Sequence, residues 1–255
     1  MANDDMERAR VRVERRTRQQ RTDEVERTEG FATRAAVQRT MALQGHSGFR
    51  RFLFENGLVL AATALFLFSF AGQVLTGHAV YNEEQRAHAS PTISVGAYLR
   101  TGDFLEATAE NWESEFLQMA VFVLLTVFLY QRGSSESKTI EEPDAVDQRP
   151  EEARDDPDAP GPVRRGGAAL WLYKHSLSIA LFTLFAVSFL GHAVGGSAVS
   201  ALGYLATSRF WFESFQNWQS EFLSVGVLVL FSIWLREQGS PQSKPVAAPH
   251  SDTGE

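Results

Sequence analysis

Two carboxylates hold the same place in a phrase that the chain uses twice: Glu115 in NWESEF, residues 111–116, and Glu221 in NWQSEF, residues 217–222. Each phrase runs straight into an apolar stretch, which sets the carboxylate about one helical turn inside a segment suited to a membrane. A charge there is costly, and it marks either a proton or ion site or a hydrogen-bonded joint between helices. On a helix starting near Asn111, residues Asn111, Glu115, Gln118, Phe122 and Thr126 share one side. Asn217, Glu221, Ser224, Leu228 and Ser232 do the same in the second occurrence. The apolar segments ahead of each phrase offer partners at matching depth, Gln73 for Glu115 and His192 for Glu221, with crosswise pairing between the halves as the variant arrangement. The candidate polar site is therefore Glu115, Glu221, Gln73, His192, Asn111 and Asn217.

Two chemistries compete for these residues. A proton or cation held between Glu115 and Glu221 would make the chain a small transporter or channel. The structural reading needs less: Asn111 and Ser114 bond backbone at a helix start, Trp112 sits among headgroups, and interhelical bonds of ~0.6–2 kcal/mol explain a polar stripe as adhesive. Other constellations are weaker. His175 and His192 share a segment, yet no histidine in the other apolar segments faces them, which argues against haem. His78, His88, Glu83 and Glu84 lack a metal-ligand spacing and read as solvated loop. The absence of cysteine excludes disulfides, iron–sulfur clusters and thiol catalysis. With no nucleotide-binding glycine loop, zincin motif or nucleophile elbow, the expectation is no catalytic residue, no metal, no cofactor and no enzyme.

The elements that must position these residues are helices. Four apolar segments occupy residues 52–75, 116–130, 171–194 and 222–235. The first and third exceed the ~20 residues that cross a bilayer. The second and fourth are shorter but carry aromatic residues at both ends, Trp112 with Tyr130 and Trp218 with Trp234, as interface anchors. Arg and Lys gather before the first segment and between the second and third, which predicts a cytoplasmic N-terminus, C-terminus and central loop. Residues 1–48 form an Arg-rich, polyampholytic extension, read as disordered, with Met41 as the alternative start of translation. Interleaved acids argue against nucleic acid as its partner. Residues 134–167 are acidic and Pro-rich, read as a solvated linker between membrane repeats at 49–133 and 168–239, and 240–255 reads as a disordered tail.

The halves align with each other. Residues 52–73 match 171–192 without gaps, and residues 98–138 match 204–244 with 18 of 41 positions identical. An even number of spans in each copy makes the repeats parallel, unlike the inverted pairs of many transporters. The runs FLFENGL, GQVLTGHAVYNEEQ and ENWESEFLQMAVFVLLTVFLYQRGSSESK resemble a family of bacterial integral membrane proteins classed as a domain of unknown function. That resemblance spans about residues 50–244 and implies helical repeats in a bacterial inner membrane, with no established activity to carry over. The expected fold is an all-α membrane protein with four transmembrane helices arranged as two parallel helical hairpins. The expected role is a structural or interaction (scaffold) protein of the inner membrane, with the transporter or channel as alternative. Its partners are the lipid bilayer and, because four spans enclose little interior, a second copy or another membrane protein.

Overall fold

The computed structural model describes residues 48–140, 144–197 and 200–254, which are helical with no strand. The Arg-rich extension and Met41 lie outside the described residues. The chain divides into two compact units, Met1–Gln73 and Val74–Glu255. In the first, helix α1 (Phe49–Glu55) carries an exposed Arg51–Glu55 ion pair at 2.7 Å. It stops at Asn56, whose backbone leaves helical geometry and whose amide donates to the Phe52 carbonyl at 2.9 Å. Helix α2 (Gly57–Ala87) then begins and runs past the division at Gln73.

In the second unit, Asn82 at the far end of α2 is buried and clasps the strand-like stretch after it. Its side chain accepts from the Ile93 amide at 2.8 Å and donates to the Ile93 carbonyl at 3.0 Å. Next come α3 (Val95–Tyr98) and α4 (Gly102–Phe128). The linker holds two short 3-10 turns and α5 (Gly161–Arg165), followed by α6 (Gly167–Lys174), α7 (Ser176–Gly195), α8 (Ala201–Leu205) and α9 (Ser208–Phe231). Helix α6 ends at His175 with nearly the same backbone angles as Asn56, φ −110° against −115°. Thr101 caps α4 and Thr207 caps α9 alike: each hydroxyl accepts from the amide three residues on at 3.3 Å and donates to a tyrosine carbonyl at 2.7 Å. The Ser94 and Ser200 caps also correspond, 106 residues apart.

Helix α7 lies along α4, and α9 packs on α4 beside it. The α7–α4 contact is close because small residues meet there. A Cβ added to Gly195 would stand 2.8 Å from the Glu106 Cα and 2.8 Å from the Gly102 carbonyl oxygen, and one added to Gly191 would reach the Ala109 Cβ at 3.1 Å. Spacing of two glycines by four residues puts both on one face and lets backbones approach. Among the described residues two helices are long and apolar enough to cross a membrane, α2 and α7, with mean hydropathies of 2.1 and 2.0 over their most apolar windows. The other two expected spans correspond to the apolar C-terminal parts of α4 and α9, whose N-terminal parts are rich in acids and amides.

The linker and tail depart from the solvated tethers that composition suggests. Val163 and Ala159 pack on Leu170 of α6, and Glu151 pairs with Lys174 at 3.2 Å. The Lys244 ammonium, 1 % exposed, donates to the carbonyls of Asp252, His250 and Pro249 at 2.8, 3.2 and 3.4 Å. Ser134 and Ser232 hydroxyls bond at 2.8 Å, and the Gly133 amide donates to Thr253 Oγ1 at 2.9 Å. A few apolar side chains and a ring of main-chain carbonyls are enough to hold such segments locally.

The α7–α4 contact yields a prediction. Gly195→Val should destabilise the detergent-solubilised protein by about 1–3 kcal/mol, the usual cost of overpacking, in a thermal melt. Gly226→Ala, where a Cβ meets nothing within 4 Å, should leave the melt unchanged or slightly raised. Equal losses in both would show that close approach is not what Gly195 provides.

Candidate functional site

The N-terminal part of α4 presents Glu106, Glu110 and Glu113, spaced by four and three residues and therefore on one side of the helix. Glu106 lies on the face that meets α7, and α7 contributes His192 one turn before its end. Tyr204 comes from α8, and Arg209, Glu213, Asn217 and Trp218 come from the first turns of α9. Four helices thus converge on one polar cluster.

Glu113 and His192 are both 0 % exposed. Glu113 Oε2 lies 2.9 Å from His192 Nδ1, and Glu113 Oε1 accepts from Trp218 Nε1 at 3.0 Å. The other imidazole nitrogen, Nε2, stands 3.4 Å from Glu213 Oε2. Glu213 Oε1 accepts from Arg209 Nε at 2.8 Å. The Tyr204 hydroxyl reaches Glu106 Oε1 at 2.8 Å and also touches Glu213 Oε2. A phenol has a single proton, so it serves one of these carboxylates at a time. Asn217 Nδ2 donates to Glu110 Oε1 at 2.5 Å. The Phe210 ring stacks on the His192 imidazole at 4.5 Å, and Phe189 and Tyr204 meet that ring edge-on.

The balance of charge is negative: four carboxylates face one guanidinium and one imidazole. Burial and the bonds to Glu213 and Glu106 push the Tyr204 phenol far above its ordinary range, so it remains a neutral donor. Glu106, His192 and Glu213 each place one potential ligand atom within 4.8 Å of the other two. Ser214, one turn from both Phe210 and Trp218 on α9, is 1 % exposed, and its hydroxyl has no partner among the described residues.

Of the six residues proposed from sequence, Glu115 and Glu221 lie close enough to each other for their charges to repel. His192 and Asn217 enter the cluster, but the carboxylates bonded to His192 are Glu113 and Glu213, not Glu221. Glu115 and Asn111 are exposed, with the Asn111 amide donating to the Ala107 carbonyl at 2.7 Å. The reason is angular. Glu113 and Glu115 lie about 200° apart around a helix, so burying one turns the other away. Glu221 is half-buried on α9, and Gln73 is the last residue of the first unit. Trp218 proves to be a hydrogen-bond donor to a buried carboxylate, whereas Trp112, Tyr130 and Trp234 are exposed. His78 is bound to Ile93 and Asn82, His88 bonds the Glu84 carbonyl, and His175 sits at the opposite end of α7 from His192.

Sequence reasoning missed Glu106, Glu113, Tyr204, Arg209 and Glu213. The signal lay in the differences between the halves. Alignment sets Gln219 opposite Glu113, Ala107 opposite Glu213, Phe212 opposite Glu106 and Gln73 opposite His192.

Tyr204→Phe removes the donor that separates two carboxylates and should lower stability by about 1–3 kcal/mol. Tyr98→Phe, at the aligned position, removes a hydroxyl set against Gly77 and should cost clearly less. Thermal melts of both variants check this, and a larger loss for Tyr98→Phe would reverse the assignment.

Comparison with known proteins gives one family and no functional relative. No curated protein and no solved structure matches the chain. The match that exists covers residues 49–255, so the chain belongs to the family described as a domain of unknown function, DUF6766.

Proposed function

We propose that this is a multi-pass protein of the bacterial cytoplasmic membrane with a structural or interaction role, built from two parallel helical hairpins with both termini on the cytoplasmic side. The hydropathy of α2 and α7 supports membrane association. Exposed apolar side chains on α4, α7 and α9, among them Leu125, Phe128, Leu190, Val187, Leu230 and Phe231, suit a lipid surround. The capping bonds that recur 106 residues apart support the reading of two like hairpins.

One observation carries the role: both oxygens of the buried Glu113 are engaged, one by His192 Nδ1 and one by Trp218 Nε1, which clasps α4, α7 and α9 together. A transport site built on Glu115 and Glu221 would need those carboxylates, Gln73 and His192 around water. His192 is instead sealed, which favours the scaffold. A clasp of this kind holds the outer ends of the helices in one arrangement and leaves the outer apolar faces for lipid or a partner protein.

The test is a set of thermal melts in mild detergent at neutral pH after chelation of metal ions. Glu113→Gln should lose about 1–2 kcal/mol, a typical value for interhelical bonds in membranes, with Glu115→Gln and Glu221→Gln close to wild type. If Glu113→Gln melts with the wild type while Glu115→Gln or Glu221→Gln abolishes ion flux in liposomes, the scaffold reading falls and the transporter stands. Topology is tested separately. The chain has no cysteine, so Ser90→Cys and Asp158→Cys each introduce one label site. In intact cells an impermeant maleimide should label the first and not the second.

A further inference from the structure

We propose that Glu106, His192 and Glu213 form a binding site for one divalent transition-metal ion, with the Tyr204 hydroxyl at its edge. The proposal goes beyond the clasp, which concerns Glu113 and needs no ion. The donor set, one imidazole with two carboxylates and a phenol, suits zinc, manganese or ferrous iron rather than calcium or a soft cuprous ion.

Geometry is the first support. Ligand atoms about 2.1 Å from one ion stand at most ~4.2 Å apart. The three atoms here already lie within 4.8 Å of one another, so an ion asks the cluster to draw in by about half an ångström. They come from three different helices, each fixed locally: Glu106 beside the Gly195 crossing, His192 under the Phe210 ring, and Glu213 on the Arg209 guanidinium.

The second support is independent of the acidic cluster. His192 is oriented as a metal-bound histidine is: Nδ1 faces a buried carboxylate, Glu113, which is itself fixed by Trp218, and this directs Nε2 at the carboxylates. When Nδ1–H donates to Glu113, the lone pair of a neutral imidazole at Nε2 confronts Glu213 Oε2 at 3.4 Å. Two acceptors repel there. Only a cation between them, a proton or a metal ion, makes the contact favourable. The single Tyr204 proton cannot satisfy both Glu106 and Glu213, and Arg209 occupies only the far oxygen of Glu213. A dication offsets the charge that remains. Ser214, buried on the same helix as Glu213, is a hydroxyl with no partner among the described residues.

The aligned halves add a third argument. At the positions equivalent to the three ligands stand Phe212, Gln73 and Ala107, and the second-sphere Glu113 is matched by Gln219. Every ionisable member of the set is missing from the equivalent site, while Tyr98 retains the counterpart of Tyr204. Simple adhesion between helices would be served by polar residues in either half. A complete ligand set in one place and none in the other is what a single dedicated ion site requires.

The experiment uses the full chain in detergent, with any polyhistidine tag removed, stripped with chelator and titrated calorimetrically with zinc chloride and with manganese chloride. One ion should bind per chain with a dissociation constant in the micromolar range or below. Glu106→Gln and Glu213→Gln should each weaken binding at least tenfold, while His78→Gln and His88→Gln, outside the cluster, should not. X-ray absorption of the zinc form should give a single imidazole nitrogen among oxygen ligands. Absence of stoichiometric binding to the wild type, which would leave a proton as the cation, overturns the proposal. So does binding that survives both glutamate variants, or a spectrum with two or more imidazoles. Should the glutamate variants fail to fold, the wild-type stoichiometry and ligand count decide alone. The clasp is read by the melt of chelated Glu113→Gln against chelated wild type, so either idea can fail without the other.

Discussion

A carboxylate and an imidazole, Glu113 and His192, share a site without access to solvent, and much of the second unit is arranged to tolerate them. A buried charge left unpaired costs several kcal/mol, so each polar atom there must find a partner within about 3 Å. That demand fixes the distance between α4 and α7, because a carboxylate and an imidazole on separate helices meet only if the backbones come close. Gly191, Gly195, Gly102 and Ala109 meet the steric side of the same requirement. It also fixes the placement of α9, whose Trp218 completes Glu113 and whose Phe210 covers the imidazole.

The same demand explains why α4 and α9 start well outside their apolar runs. Both extend several turns beyond the hydrophobic part, and those turns hold Glu106, Glu110, Arg209 and Glu213. The polar cluster therefore forms beyond the apolar stretches of these helices, with Tyr204 of α8 closing it from the connection between α7 and α9. A short helix capped by the Ser200 hydroxyl, accepting from the Gly203 amide at 3.0 Å, is stiff enough to aim that phenol.

Much of the architecture was legible in the residues. Apolar runs located the helices, whereas the caps at Thr101 and Thr207 set the starts of α4 and α9 well ahead of the NWESEF and NWQSEF phrases. The site was not legible in the same way. Glu115 and Glu221 stand out in the sequence because they repeat, yet a repeated residue reports what the two stretches share rather than what sets one apart. The face of α4 that is buried depends on which side α7 approaches, a tertiary fact that the NWESEF phrase does not contain. Helical spacing alone offered two faces for the phrase, one with Asn111 and Glu115 and one with Glu113 and Glu106, and small residues at Gly102 and Ala109 decide for the second. The linker and tail depart from their composition for a related reason: composition reports the average of a segment, whereas Val163 and Lys244 act one at a time.

Correspondence of the caps at Thr101 and Thr207 has an evolutionary consequence. Two stretches of one chain solve the same folding problem with independent side chains, as a homodimer does with identical ones. In a homodimer every substitution appears twice, so an acid introduced at one subunit interface is introduced at the other as well. Within one chain that restriction does not hold: Glu113 has Gln219 rather than an acid at its counterpart, and His192 has Gln73 rather than an imidazole. Glu106 and Glu113 come from the first stretch and His192 and Glu213 from the second, so one of two corresponding sets of positions carries the charge and the other is neutral.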